Sequence, residues 1–255
     1  MIPRLPDAFL GAPLAHRALH DVTDGRPENS RAAIRAAIDH GYGIEIDVQL
    51  SADNQAMVFH DYALDRLAEG TGPVRVVPAG TLAQTTLKGG DEGIPTLPKV
   101  LEIVAGQVPL LIEIKDQDGA MGDNIGPLEQ ATAAALNGYD GPVALMSFNP
   151  HSVARMAALC PDIPRGLVTG AYAADDWPLN AATRDHLRGI PDFDGVGASF
   201  ISHEAADLAR QRVADLKDAG ANILCWTIRS LAEEAQAREV AQNVTFEGYL
   251  APHPG

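Results

Sequence analysis

Carboxylate side chains recur on one face of a predicted strand in the segment GYGIEIDVQL, residues 41–50. Apolar residues fill every second position of this segment, and Glu45, Asp47 and Gln49 fall between them. Because side chains alternate across a strand, the two carboxylates and the amide share a face. Buried carboxylates without partners are costly, and adjacent carboxylate oxygens suit a hard cation such as Mg²⁺ or Ca²⁺. The pattern therefore predicts a divalent-metal site.

A second predicted strand, in the segment LLIEIKD at residues 110–116, repeats the pattern. Glu113 and Lys115 share one of its faces, and isoleucines occupy the other. Glu113 is then a third candidate metal ligand, and the ammonium of Lys115 could hold a phosphate as a point charge. A buried Glu–Lys ion pair without a metal is the alternative, which the carboxylate pair on the first strand disfavours.

Two histidines lie at or near the ends of predicted strands, at positions suited to proton transfer. His16 precedes Arg17 after the first apolar run, and His60 ends the run AMVFH. Histidine titrates near neutrality, so a pair can supply one general base and one general acid. The guanidinium fork of Arg17 suits a phosphate. Together with the carboxylates, these side chains predict metal-assisted cleavage of a phosphodiester.

The elements that position these residues alternate between strands and helices, with Gly or Pro at most junctions. The predicted strands are Leu14–Arg17, Gly43–Gln49, Pro109–Ile114, Val143–Ser147, Arg165–Val168, Gly195–Ala198, Asn222–Thr227 and Gly248–Ala251. The predicted helices are Asn29–His40, Leu97–Ala105, Ile125–Leu136, His151–Leu159, Trp177–Leu187, Glu204–Ala219 and Leu231–Val240. Asn29 is expected to cap the first helix.

Eight strand–helix repeats in about 250 residues predict an α/β protein with a closed (β/α)₈ TIM barrel. A doubly wound open sheet is the alternative, weakened because no Gly-x-Gly-x-x-Gly follows the first strand. The short strand AMVFH and the loop-rich stretch after it break the alternation. We interpret this stretch as an insertion at about residues 61–96, after the second strand, within a single domain spanning residues 1–255.

Composition excludes several classes of partner. The formal net charge is −15, so the chain is expected to repel nucleic acid and anionic membrane surfaces. No apolar run approaches the roughly 20 residues that span a bilayer, and the N-terminal segment lacks the features of a signal peptide. These observations predict a cytoplasmic protein without stable membrane insertion. The spacing of Cys160 and Cys225 suggests neither zinc nor a disulfide framework. The expected partner is a small phosphodiester, and a homodimer is the candidate assembly.

Taken together, the residues resemble the glycerophosphodiester phosphodiesterases, a family of phospholipase C-like TIM barrels. Single triplets are weakly specific, but the matching motifs occur in family order from about residue 12 to 251. They are His16-Arg17, Pro27-Glu28-Asn29-Ser30, Glu45-x-Asp47-Val48, Phe59-His60-Asp61, Leu64-Asp65-Arg66 with Gly70-Thr71-Gly72, Ile94-Pro95-Thr96-Leu97, Glu113-Ile114-Lys115, Ser147-Phe148-Asn149 and Trp226-Thr227-Ile228.

The resemblance implies hydrolysis of glycerophosphodiesters to sn-glycerol 3-phosphate and an alcohol. It implies one divalent cation, Mg²⁺ or Ca²⁺, held by Glu45, Asp47 and Glu113. It also implies that His16 and His60 form the acid–base pair. A small insertion after the second strand is a further property of the family.

The resemblance places Arg17 and Lys115 on the phosphate of the substrate. Trp226 is expected either to pack in the core or to form an apolar wall for the glycerol. Two alternative functions stay open: a related lipid phosphodiesterase, such as a lysophospholipase D-like enzyme, and a barrel that binds phosphate esters without turnover. The presence of both histidines and all three carboxylates disfavours the second alternative.

The sequence departs from the family pattern at several positions. Ala18 replaces the glycine of the usual His-Arg-Gly, at a backbone position that favours glycine. The loop over residues 18–26 is longer than usual and contains His20, which either remodels the pocket, adds a ligand or is simply exposed. Arg229 replaces the usual asparagine, and could bind an anionic group or lie on the surface. After the predicted last strand, Ala251-Pro252 replaces the usual Thr-Asp.

Overall fold

Eight parallel strands close into a barrel in the computed structural model, which describes residues 2–254. The nine strands of these residues are β1 (Leu14–Ala15), β2 (Gly43–Leu50), β3 (Ala56–Val58), β4 (Leu110–Ile114), β5 (Val143–Ser147), β6 (Arg165–Thr169), β7 (Phe200–Glu204), β8 (Asn222–Ile228) and β9 (Asn243–Phe246). β3 pairs antiparallel with β2, outside the ring. β1 pairs in parallel with both β2 and β9, so the ring is closed. The predicted TIM barrel is confirmed, and the open sheet is excluded.

Helices follow most of the strands and cover the outside of the ring. They are α1 (Arg31–Asp39), α2 (Ala79–Leu82), α3 (Leu97–Val104), α4 (Pro127–Leu136), α5 (Pro150–Leu159), α6 (Ala181–Gly189), α7 (Gln211–Asp218) and α8 (Leu231–Ala237). The hydroxyls of Ser30, Thr96 and Ser230 cap α1, α3 and α8 by accepting hydrogen bonds from backbone N–H groups. Such caps satisfy donors that a helix leaves unpaired and fix where each helix begins. None of the described helices is both long enough and apolar enough to cross a membrane.

Two predicted strands are wrong. Residues Gly195–Ala198 belong to a turn in which Gly197 has φ of 66°, and β7 begins only at Phe200. Residues Gly248–Ala251 follow β9 instead of forming a strand. Both true strands contain fully buried polar side chains, such as His203 and Asn243. An argument from apolar runs misses these strands because their polar residues are buried.

Two predicted helices start too early, and one cap is misplaced. The helix predicted from Glu204 begins at Gln211, because Glu204 ends β7. The helix predicted from Trp177 begins after the cap Asn180. Asn29 does not cap α1, since Ser30 takes that position. The side chain of Asn29 is instead used inside the barrel.

Apolar side chains fill the end of the barrel where the parallel strands begin. Leu5 and Phe9 belong to a buried cluster with Leu111 and other residues of the strands. The amide of Asn243 on β9 donates hydrogen bonds of 2.8 Å to the carbonyls of Phe9 and Ala12. We call residues 5–9 the basal plug. Full burial of a side chain such as Phe9 stabilises the fold by about 1.5–3 kcal/mol.

The segment between β3 and α3 builds a small core of its own beside the barrel. Met57, Phe59, Leu64, Leu82 and Leu87 are buried there together. This segment begins one residue before the predicted acid–base histidine of the AMVFH run. Its packing therefore fixes the backbone from which that histidine reaches the barrel.

Candidate active site

A cavity of about 460 Å³ opens at the end of the barrel where the parallel strands finish, which is where TIM barrels place their active sites. It brings together all eight residues predicted from the sequence as site residues. They are His16, Arg17, Glu45, Asp47, His60, Glu113, Lys115 and Trp226.

Three buried carboxylates meet in this cavity. Glu45 and Asp47 lie on β2, and Asp47 is the cross-strand neighbour of Glu113 on β4. One oxygen of each carboxylate lies within 4.8 Å of the others, and the residues are only 2%, 1% and 7% exposed. Three clustered carboxylate oxygens form the hard donor set that Mg²⁺ and Ca²⁺ prefer. The residues therefore fit a divalent cation.

The charges around Glu45 favour a bound cation. Burial, followed by repulsion from Asp47 and Glu113, raises the pKa of Glu45 well above its usual value. Lys115 and Arg17 supply two positive charges next to the three carboxylates. If all five groups are ionised, the cluster carries one net negative charge. A divalent cation would change this to one net positive charge, which suits a phosphodiester anion.

Lys115 contacts the other two carboxylates. Its ammonium Nζ lies 2.8 Å from Glu113 Oε1 and 3.3 Å from Asp47 Oδ1. Burial tends to raise the pKa of Asp47, but the charges of Lys115, His60 and Arg17 outweigh it and hold that pKa well below the usual range. Asp47 is therefore an ionised ligand candidate at neutral pH.

Asn29 holds Asp47 through both ends of its amide. Asn29 Nδ2 donates to Asp47 Oδ2 at 3.0 Å, and Asn29 Oδ1 accepts from the backbone N–H of Asp47 at 3.3 Å. The backbone of Asn29 is left-handed, with φ of 60°. Nearby, Arg17 Nη1 donates to Glu28 Oε1 at 2.8 Å, and the backbone N–H of Arg17 donates to Glu45 Oε2 at 2.9 Å. These contacts orient the carboxylates and the guanidinium together.

Each of the two histidines is held by a carboxylate. His16 Nδ1 lies 2.6 Å from Glu247 Oε2, and His60 Nδ1 lies 2.6 Å from Asp61 Oδ1. An ionised carboxylate can only accept, so each Nδ1 carries the proton of the hydrogen bond and Nε2 is left for proton exchange. Asp61 is anchored in turn by two hydrogen bonds of 2.7 Å from Arg66.

The pKa values agree with this arrangement. Burial lowers the pKa of His16, although Glu247 opposes the effect. The hydrogen bond from His16 and the nearby His20 hold the pKa of Glu247 well below its usual range. At neutral pH, His16 is therefore a neutral imidazole beside a charged carboxylate, which stabilises the imidazolium whenever His16 takes up a proton.

Glu247 was missed by sequence reasoning. It directly follows β9, but the last strand was predicted five residues later, which left this carboxylate outside the barrel mouth. A carboxylate at the end of a correctly placed strand would have been the signal. Asp61 belongs to the motif Phe59-His60-Asp61, but only the structure shows that it is the hydrogen-bond partner of His60.

The unusual loop at residues 18–26 reaches the same carboxylate. His20 Nε2 lies 3.5 Å from Glu247 Oε2, and Arg229 Nε donates to Glu247 Oε1 at 2.9 Å. Two departures from the family pattern, the 18–26 loop and Arg229, thus contact the carboxylate partner of His16. Ala18 has a left-handed backbone with φ of 64°, the conformation that favours glycine at this position.

One side of the cavity is apolar. The rings of Phe148 and Trp177 have centroids 4.8 Å apart, and those of Phe148 and Trp226 are 5.5 Å apart. The indole Nε1 of Trp226 donates to the carbonyl of Ser202 at 3.0 Å, which fixes the ring. Met121 and Met146 line the same cavity. Trp226 therefore packs against aromatic neighbours and also faces the cavity.

Known proteins share this fold and are similar to this sequence. The sequence matches the Glycerophosphoryl diester phosphodiesterase family over residues 16–244. A phosphodiesterase from Oleispira antarctica, solved in complex with the product sn-glycerol 3-phosphate, is 25% identical with a TM-score of 0.76, over 94% of each chain. The glycerophosphodiester phosphodiesterase of Caldanaerobacter subterraneus is 30% identical over 163 residues, which are 60% of this chain and 65% of that protein. YhdW of Bacillus subtilis, provisionally assigned the same activity, is 29% identical over 94% of each chain. The chain therefore belongs to the glycerophosphoryl diester phosphodiesterase family.

Proposed function

We propose that the protein hydrolyses glycerophosphodiesters to sn-glycerol 3-phosphate and an alcohol, with a divalent cation at the carboxylate cluster. One observation carries the proposal: two histidines, each held through Nδ1 by a carboxylate, line the same cavity as three clustered carboxylates. The Oleispira antarctica phosphodiesterase, which was solved with sn-glycerol 3-phosphate, supports this choice of product.

The two histidines would carry out two proton transfers. One histidine accepts the proton of the nucleophile through its free Nε2, while its Nδ1–H stays bonded to a carboxylate. The second histidine donates a proton to the leaving alkoxide. The lowered pKa of the buried His16 favours its neutral form, which suits the role of base. His60, held by Asp61, is then the acid.

Glu45, Asp47 and Glu113 would hold the Mg²⁺ or Ca²⁺ ion, which would stabilise negative charge on the phosphate oxygens as a Lewis acid. Release of Lys115 from its two carboxylate contacts would free its ammonium to bind the phosphate. Arg17 lies beside Asp47 and offers a guanidinium fork to the same anion. Trp226 would form a wall for the glycerol.

A related lipid phosphodiesterase is the second candidate, and the apolar side of the cavity favours it. Phe148, Trp177 and Met121 could accept an acyl chain carried by the glycerol of the substrate. The two candidates share their reaction chemistry and can share the leaving group, such as choline, but they differ in whether the glycerol of the substrate carries an acyl chain. Lysophosphatidylcholine as a substrate therefore separates them.

The test measures release of sn-glycerol 3-phosphate from glycerophosphocholine, glycerophosphoethanolamine and glycerophosphoglycerol, and release of choline from lysophosphatidylcholine. Each assay is run in EDTA and again with Mg²⁺ or Ca²⁺ restored. Metal-restored release of sn-glycerol 3-phosphate supports the proposal. Turnover of lysophosphatidylcholine alone would favour the second candidate. A folded protein that turns over none of these substrates would contradict both.

Variants assign the roles within the active protein. His16→Ala or His60→Ala should abolish turnover, whereas His186→Ala should not, although His186 also has a carboxylate partner at 2.6 Å on the surface. Glu45→Gln should weaken metal binding measured by calorimetry. Near-normal turnover of either active-site histidine variant would refute the acid–base assignment.

A further inference from the structure

A second group of side chains with potential metal ligands lies beside the carboxylate cluster and differs from it in donor type. His16, His20 and Glu247 each offer one ligand atom, and these atoms lie within 4.8 Å of one another. Two imidazole nitrogens and one carboxylate oxygen form a donor set for Zn²⁺ and similar transition ions, whereas Mg²⁺ prefers oxygen ligands alone. The two groups should therefore select different metals.

The distances require only small movements to enclose an ion. Ligands about 2.0–2.2 Å from a tetrahedral Zn²⁺ lie roughly 3.3 Å from each other. Glu247 Oε2 lies 2.6 Å from His16 Nδ1 and 3.5 Å from His20 Nε2, so these separations change by less than about 1 Å. His20 Nε2 is buried and has no hydrogen-bond partner of its own. It is an unused donor atom that faces an ionised carboxylate.

A second pocket, separate from the substrate cavity, gives an ion access to His20 and Glu247. This pocket of about 480 Å³ is lined by His20, Arg26, Glu247 and Tyr249. It lies between the unusual 18–26 loop and the residues after β9. Arg229 donates a hydrogen bond to Oε1 of Glu247, so Oε2 faces the two histidines. The side chain of Arg229 is 62% exposed.

We propose that His16, His20 and Glu247 form a Zn²⁺ site whose occupation switches the enzyme off. Coordination through His16 Nδ1 displaces the proton that this atom gives to Glu247, and the neutral ring then carries its proton on Nε2. In that tautomer Nε2 has no lone pair to accept a proton from the nucleophile. The number of protons on His16 is unchanged, since one leaves Nδ1 for water and one arrives at Nε2.

This inhibitory effect rests on the proposed function, but the metal site does not. The test therefore begins with binding. Wild-type protein in excess Mg²⁺, which occupies the carboxylate cluster, is titrated with Co²⁺ as an optical probe and then with Zn²⁺. We expect visible Co²⁺ bands that Zn²⁺ abolishes and further Mg²⁺ does not.

Two substitutions at one position test the ligand set. His20→Ala and His20→Gln should weaken Co²⁺ and Zn²⁺ binding by more than the roughly 10- to 100-fold that loss of an outer-shell partner costs. His186→Ala removes a surface histidine that also has a carboxylate partner, and it should leave binding unchanged. Equal affinity in the wild type and in both folded His20 variants would overturn the inference.

Activity provides the second readout. In saturating Mg²⁺, Zn²⁺ should lower kcat of the wild type with little change in KM, and removal of Zn²⁺ by a chelator should restore it. The His20 variants should keep their Mg²⁺-dependent activity and resist Zn²⁺. Inhibition that persists in these variants, or that excess Mg²⁺ relieves, would place Zn²⁺ at the carboxylate cluster and overturn the proposal. If no phosphodiester is turned over, the Co²⁺ titration alone decides whether the site exists.

Discussion

Replacing Glu247 by Gln tests the idea that a carboxylate just after β9 controls a histidine just after β1, the neighbouring strand. The substitution keeps the shape of the side chain and removes its charge. Glu247 Oε2 accepts a hydrogen bond of 2.6 Å from His16 Nδ1. A neutral amide can donate to Nδ1 as well as accept from it, so it also permits the tautomer whose proton lies on Nε2. Both effects should impair His16 as a base.

The size of the effect follows from the kind of hydrogen bond that is lost. A bond to a charged group contributes about 1.5–3 kcal/mol, and each 1.36 kcal/mol of activation free energy is tenfold in rate. If the bond strengthens fully when His16 becomes an imidazolium, kcat should fall by about 10- to 150-fold. KM should change little, because Glu247 acts through His16 and not on the substrate.

The assay is steady-state release of sn-glycerol 3-phosphate in saturating Mg²⁺, measured across pH. Glu247 raises the pKa of His16 against the effect of burial. Its removal should therefore lower that pKa further and move the limb of the kcat profile that belongs to His16 to lower pH. Arg229→Gln is the matched control, since Arg229 bonds only the other oxygen, Oε1, and should change kcat by less than about threefold.

A Glu247→Gln variant with kcat within about twofold of wild type and an unshifted pH profile would refute the reasoning. A fall in kcat with the profile unchanged would show that Glu247 supports the fold around His16 and does not tune its proton affinity. Rescue by Glu247→Asp, which restores the charge on a shorter side chain, would favour the electrostatic explanation.

Three further predictions concern stability. Asn29→Ala leaves buried Asp47 without its amide partner, so we expect the free energy of unfolding in urea to fall by about 1–3 kcal/mol. Mg²⁺ binding measured by calorimetry should also weaken. An unchanged urea midpoint would contradict this prediction. Burial lowers the pKa of His203 below its ordinary 6.5, so the unfolded chain takes up this proton first and stability should fall as pH drops below about 6.5. Urea unfolding at several pH values should show a shallower fall for His203→Gln, and an identical fall would argue against the assignment. A Cβ at Gly166 would lie 2.4 Å from the ring of Phe200 and 2.6 Å from the carbonyl oxygen of Phe200. Gly166→Ala should therefore lower the free energy of unfolding by about 1–3 kcal/mol. A melting temperature equal to that of the wild type would refute the clash.

Local geometry explains why part of the site could be predicted from sequence. Alternation along β2 is a property of the strand itself, so Glu45 and Asp47 could be placed on one face without a structure. The same rule placed Glu113 on the inner face of β4. The pairing of Asp47 with Glu113 depends on strand register, which the sequence constrains only through its pattern of apolar positions.

Contacts between distant residues explain what could not be predicted. His16 and Glu247 are 231 positions apart, and no local rule links them. β7 and β9 were misplaced because each carries a polar residue that is fully buried, His203 and Asn243 respectively. Their burial is compensated by hydrogen bonds to other segments, such as those from Asn243 to the carbonyls of Phe9 and Ala12. These bonds exist only once the ring is assembled.

The basal plug and the seam between β1 and β9 also bear on the order of folding. Asn243 must find Phe9 across 234 positions, and contacts between such distant positions form slowly because the loop-closure entropy comes first. We expect the β1–β9 seam to form late, after contiguous strand–helix units have packed. The His16–Glu247 pair spans this seam, so its assembly coincides with ring closure. Recovery of phosphodiesterase activity during refolding should therefore report completion of the ring, whereas the helical signal in circular dichroism should return earlier.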